Sequence, residues 1–203
     1  RPVKAVFCMP TLHNPSGLVM ELAARKRLVE LARSHEAWII EDGSYAFLIE
    51  NPPAPLVALA GERTIYVSGV SKILGGGIRF GFVVTPPDLH SRFEKTLRAM
   101  VWSNATFIAA LAGRWLSDGT VRRLEAEKRR EARVRHKLAI KRLAGLELVA
   151  NENSFFVWVK LPESVRAGQL AATLAQQGIH VAASEAFAAS DIYPHAVRLS
   201  LGI

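Results

Sequence analysis

Short apolar runs of strand length alternate with helical periodicity through the first part of this sequence, and that alternation limits the folds open to it. Residues 3–7, 37–40, 64–67 and 79–84 are strand-like, the last closed by Pro86-Pro87. Residues 18–34 place Leu22, Leu28, Leu31 and Ala32 at helical spacing, with Lys and Arg expected on the outer face. Residues 51–55 form a Pro-rich loop. Strands alternating with helices predict an α/β domain with a largely parallel sheet. Ligands in such sheets collect at the carboxyl ends of the strands. Asn14, Asp42 and Lys72 each fall just past a predicted strand, where a shared site would gather them.

After Asp88 the pattern changes. Residues 89–116 and 121–143 read as long helices separated by Asp118-Gly119. Residues 146–149 and 155–161 read as strands, 165–177 as a helix ended by Gly178, and 179–182 and 196–201 as further strands. A small α+β domain follows, giving a predicted division into residues 1–87, connecting helices 88–144, and residues 145–203. The chain opens at Arg1 directly into a strand-like run and stops at Ile203, so it reads as a piece of a longer polypeptide.

At 203 residues and half hydrophobic, the sequence suits a globular protein rather than a disordered or fibrous one. No apolar run reaches membrane-spanning length, and no membrane partner is expected. One cysteine, Cys8, cannot form an internal disulfide, which favours the cytoplasm; its expected role is a small buried hydrophobe. The net charge of +8 is concentrated in residues 122–142, where Glu125, Glu127 and Glu131 are interleaved with the cations. That spacing suits a solvated helix face with ion pairs, and a contact with a polyanion stays open beside it. His13 and His195 read as loop residues, and no His, Cys and Asp cluster has metal-ligand spacing.

The chemistry lies in three segments: Asn14-Pro15-Ser16-Gly17, Glu41-Asp42-Gly43-Ser44-Tyr45, and Tyr66-Val67-Ser68-Gly69-Val70-Ser71-Lys72. An amine, a carboxylate, a phenol and an amide can capture an aldehyde cofactor as a Schiff base and tune its electronics. Gly75-Gly76-Gly77 does not satisfy the dinucleotide-binding pattern, and its acidic partner is missing. Arg79 follows the glycines, and Arg198 sits in an alternating strand facing opposite to Val197 and Leu199.

In this order, these residues resemble the fold-type-I pyridoxal-phosphate enzymes, the class I/II aminotransferases of the aspartate-aminotransferase superfamily. The resemblance implies pyridoxal 5′-phosphate as cofactor and an incomplete transferase large domain in residues 1–87, joined to a small C-terminal domain. It implies that Lys72 forms the Schiff base and shuttles a proton, that Asp42 keeps the pyridine nitrogen protonated, and that Tyr45 and Asn14 donate to the ring hydroxyl. Arg79 and Ser71 would hold the phosphate, and Arg198 the α-carboxylate of an amino acid substrate. The family often has Ser three residues before the lysine; Gly69 stands there, and one phosphate contact is lost.

Trp115 to Thr120, the Arg/Glu-rich helix, Phe155 to Pro162 and Gly178 to Phe187 resemble the MocR subfamily of GntR transcriptional regulators most. Such proteins join a DNA-binding winged helix to an aminotransferase-like domain that senses the cofactor or an amino compound. The implied partners are therefore an amino-compound ligand, a second copy of the intact protein, and DNA through a domain outside this sequence. A free-standing aminotransferase is the alternative, and a non-catalytic module holding the cofactor as effector a third. The family's Gly/Ser phosphate loop and ring-stacking aromatic are not in this sequence, so it would bind the cofactor weakly or not at all by itself.

Overall fold

The computed structural model describes residues 2–103 and 105–202. The chain divides into two units, one holding the residues up to Thr11 and Val19–Lys128, the other Leu12–Leu18 and the residues from Arg129 onward.

In the first unit, β1 (Ala5–Cys8), β2 (Trp38–Asp42), β3 (Thr64–Gly69) and β4 (Gly81–Val84) lie side by side in that order. β1, β2 and β3 are parallel, and β4 is antiparallel to β3. α1 (Leu22–Ser34) supplies the first crossover and the short α2 (Leu56–Leu59) part of the second. Apolar Val29, Ala32, Ile39, Leu56 and Ala60 form the core on one sheet face, with Cys8 packed against it. The other face carries Phe7, 64 % exposed, and Val67, 40 % exposed.

α1 departs from the expectation in two ways. Its Leu22 and Leu31 are exposed, and its Arg25 is completely buried rather than facing out. The reason is a guanidinium whose donors are all used. Nε donates to Met20 O (2.8 Å), Nη1 to Ala54 O (3.2 Å) and Pro53 O (3.5 Å), and Nη2 to Pro10 O (2.9 Å) and Thr11 Oγ1 (2.8 Å). A buried cation is tolerated when its hydrogen bonds are met in this way.

The single helix expected over residues 89–116 is two: α4 (Pro87–Val101) and α5 (Thr106–Ser117). Trp102 ends α4 in the left-handed region with φ 61°. Asn104, inside the expected helix, lies outside the described residues. α3 (Ser71–Leu74) sits between β3 and β4, and α6 (Thr120–Arg142) runs through the division between the units.

The second unit holds an antiparallel sheet of β5 (Leu148–Ala150), β6 (Phe156–Lys160), β8 (Ala196–Ser200) and β7 (Ala182–Ala183), in that spatial order. Val157, Val159 and Val197 face its core with Ala139 and Ala167, the first residue of α7 (Ala167–Gln176). Residues 12–18 belong to this unit. Gly17 turns there with φ +71°, and a Cβ on it would lie 3.3 Å from both Asn151 and Ser154.

Candidate functional site

Asp42 closes β2, and its register partner is Val67 on the neighbouring parallel β3, so both strands end at one sheet edge. The chain then turns sharply. Asp42 Oδ1 accepts from the Ser44 N–H (2.8 Å), and the Gly43 N–H donates to Val67 O (2.9 Å). This turn delivers Tyr45, which precedes the 3₁₀ turn Ala46–Leu48. No side chain fits at Gly43, because a Cβ there would lie 2.1 Å from the Tyr66 hydroxyl.

Lys72 lies in the single helical turn after β3, anchored by the buried Ile73. Its own side chain is exposed, with Nζ 5.5 Å from the centroid of the Tyr45 ring. An ammonium over a phenol face is an attractive arrangement. Asp42, Tyr45 and Lys72 thus share one edge of the first unit. Ser71 begins α3 beside Lys72, while Arg79 is exposed beyond the glycines, held in the left-handed region at φ 45°. A Val70 N–H to Phe80 O bond of 3.1 Å closes the neck of this Ser71-to-Arg79 loop.

Gly69, where the resemblance expects a hydroxyl, is fixed by close backbone packing. It pairs with Gly81 across β3 and β4, and a Cβ on it would lie 2.8 Å from Phe80 O. The neighbouring Ser68 hydroxyl is engaged with Tyr66, whose phenol burial holds above its ordinary pKa.

The buried group behind this edge was not legible in the sequence. Glu41, 2 % exposed, accepts from the Val57 N–H at 3.0 Å; burial raises its pKa, while hydrogen bonding and Arg25 oppose the rise. The Cys8 thiol is pushed up to about 11 by burial and by Glu41. Arg25 would have been found only by asking which donors could meet the carbonyls at Pro10, Met20 and Ala54.

Asn14 and Arg198 meet in the second unit. Arg198 Nη1 donates to Asn14 Oδ1 at 2.8 Å. The guanidinium also lies 5.0 Å from the Phe156 ring and 5.2 Å from the Phe187 ring. Trp158 packs edge-on against Phe187, with ring centroids 5.8 Å apart. Arg198 Nε is buried without a hydrogen-bond partner among the described residues. A buried, orphaned donor on this half-buried cation is a costly arrangement that an anionic ligand would relieve. Arg198 does face opposite to Val197 and Leu199, which belong to the core side of β8. His13, beside Asn14, hydrogen-bonds Ser16 Oγ (2.9 Å), and burial lowers its pKa.

Comparison with known proteins agrees with this architecture. The family model for aminotransferase class I and II matches residues 2–203. The HTH-type transcriptional regulator YdeF of Bacillus subtilis strain 168 is 26 % identical over 98 % of this chain and 43 % of its own length. Aromatic-amino-acid aminotransferase 1 of Thermococcus litoralis is 29 % identical over 98 % of this chain and 50 % of its own length. Among solved structures, the kynurenine aminotransferase of Pyrococcus horikoshii superposes with a TM-score of 0.88 at 28 % identity, over 98 % of this chain and 51 % of that one. The chain therefore spans about half the length of the relatives it matches. Its mixed and antiparallel sheets form part of the fold of pyridoxal-phosphate-dependent aminotransferases, and the chain belongs to the aminotransferase class I and II family.

Proposed function

We propose that this chain is the C-terminal part of a cytoplasmic, effector-sensing aminotransferase-like domain of a MocR-type GntR-family regulator, built to hold pyridoxal 5′-phosphate. Residues 1–87 would be the second half of the cofactor-binding large domain, 88–144 the connecting helices, and 145–203 the small domain. The observation that carries the cofactor reading is the edge shared by Asp42, Tyr45 and Lys72. When bound, the cofactor supplies an aldehyde that condenses with amines and a ring that withdraws electrons.

Each residue has a definable task. Lys72 Nζ would bind the aldehyde carbon and carry the proton moved in the reaction. Asp42, with Oδ1 engaged by Ser44, has Oδ2 left to hold a protonated ring nitrogen. The Tyr45 hydroxyl would donate to the ring oxygen. Asn14 has its Oδ1 occupied by Arg198, so its Nδ2–H is the group left to donate. Arg79 and the Ser71 hydroxyl would hold the phosphate, and Arg198 would grip a carboxylate on an amino-compound ligand. The donor set fits the cofactor except at Gly69, which contributes no hydroxyl. Weak binding or none is the expectation for this chain alone.

Regulators of the HTH type that align over almost the whole chain support the sensor reading. The Rhizobium meliloti protein named as a probable rhizopine catabolism regulator, MocR, is 29 % identical over 63 % of the chain. A free-standing aminotransferase is the second reading, favoured by the Thermococcus litoralis relative. The intact protein is proposed to be a homodimer that contacts DNA through a separate domain. Borohydride treatment of the intact protein with pyridoxal phosphate, followed by peptide mass mapping, tests the cofactor reading. The pyridoxyl mass is expected on the Lys72 peptide and absent from Lys72→Ala; a label elsewhere, or none, defeats it. Amino-group transfer from any of a panel of amino acids to a 2-oxo acid would decide for the enzyme. Ligand-dependent DNA binding without transfer would decide for the sensor.

A further inference from the structure

α6 carries a row of cations that the reading above leaves without a task. Arg129, Arg133, Lys137 and Lys141 stand at successive four-residue intervals, with Arg130 beside them. Each rung is roughly 6 Å along the axis, and the row drifts by roughly 40° per rung. Like charges at this spacing destabilise a helix by about 0.2–0.5 kcal/mol per pair, so propensity does not favour the row.

Two acidic residues of α6 serve cations outside the row. Glu127 pairs with Arg123 at 2.8 Å, and Glu131 with Arg135. Arg133 donates to Asn153 Oδ1 at 3.3 Å, a neutral partner, and makes no ion pair among the described residues. Arg130, Lys137 and Lys141 are exposed and make no ion pair among the described residues. These three fall within a sector of roughly 40°, away from the face on which Ala132 and Ala139 are buried.

We propose that this face of α6 is a binding surface for the phosphate backbone of duplex DNA, independent of base sequence. Phosphates along one strand advance by about 3.4 Å per step, so the roughly 16 Å from Arg130 to Lys141 spans several of them. No Phe, Tyr or Trp lies on α6 to stack unpaired bases, which argues against single strands. Val134, Leu138 and Ile140 are exposed aliphatics flanking the row, and α6 has no aromatic anchor for a membrane surface. The inference goes beyond the regulator reading. A free-standing enzyme would carry the same helix, so failure here leaves the assignment of the cofactor site untouched.

The test is fluorescence anisotropy of the full 203-residue chain with a labelled random-sequence duplex, from low to physiological salt. Neutralising three phosphates gives a slope of log affinity against log salt of roughly −2.7, a loss of about 40-fold between 50 and 200 mM. Arg130→Glu/Lys137→Glu/Lys141→Glu is expected to remove that slope. The control Lys26→Glu/Arg92→Glu/Lys95→Glu changes net charge equally at exposed sites on α1 and α4 and is expected to shift it by less than about one. A glutamine version of the α6 triple, checked by circular dichroism, separates lost contacts from repulsion or misfolding. Equal losses in both triples, no salt-dependent binding, tighter binding to single strands, or tighter binding to phosphatidylserine vesicles would each overturn the proposal.

Discussion

Two glycines beside the candidate lysine show how much a single hydrogen in place of a methyl group decides. Gly43 lies against the Tyr66 ring, where an added Cβ would be 2.4 Å from Cζ and 2.6 Å from Cε2 as well as meeting the hydroxyl. Gly43→Ala is therefore expected to displace the Asp42-to-Tyr45 turn at a cost of about 1–3 kcal/mol. Tyr66→Phe should not rescue it, because the ring atoms themselves obstruct. Urea midpoints of the single and double variants check this; recovery in the double variant would place the conflict at the hydroxyl alone. At Gly69, Gly69→Ser would restore the residue common in the family yet is expected to lower stability without improving phosphate binding, since the obstacle is the Phe80 carbonyl. The positions of Tyr45 and Lys72 just past strands, and of Asp42 at the close of one, were legible in the alternating pattern. Why Gly stands at 69 was not, because the reason is an antiparallel neighbour that arrives twelve residues later, at Gly81.

At the scale of elements, α1 was readable as a helix and misread as to what it buries. Amphipathic reasoning places Arg outside, yet Arg25 ties together the exit of β1, the start of α1 and the loop at Ala54. Arg25→Met would leave those carbonyls unpaired and Glu41 without its compensating cation, at an expected cost of about 3–5 kcal/mol. Arg25→Lys should recover little of it, since an ammonium cannot reproduce the fork. Chemical unfolding measures both. Cys8 adds a pH signature in the same region. Its folded pKa, about 11, lies above the ordinary thiol value of 9.0, so the stability it contributes is complete below about pH 9 and is lost as pH rises toward 11. Cys8→Ala is expected to shallow the alkaline decline in urea midpoint, leaving the part due to Tyr66, which shifts in the same direction. An unchanged decline would remove Cys8 from the account. The break between α4 and α5 was illegible for a different reason: it turns on Trp102 at positive φ, with no Gly or Pro to mark it.

At the scale of the molecule, the surfaces left bare point to what the intact protein must cover. Parallel sheets are found almost always with both faces buried, and here Phe7 and Val67 lie open on one of them. A second apolar region surrounds the α4–α5 corner, where Met100 is 76 % exposed, Trp102 85 % and Phe107 74 %. Residues of this size seldom gather on the surface of a monomer without a partner. If the corner is where a second copy docks, Trp102 is the expected anchor, and truncating such a residue costs at least about 2 kcal/mol of association. The intact protein should then sediment as a dimer, and Trp102→Glu should shift it toward monomer at micromolar concentration. Secondary structure should be retained, because this side chain packs on little within its own chain. A wild-type protein that sediments as a monomer at every concentration would refute the dimer. A dimer unaffected by Trp102→Glu would move the interface to the open sheet face, where Phe7→Glu becomes the discriminating variant.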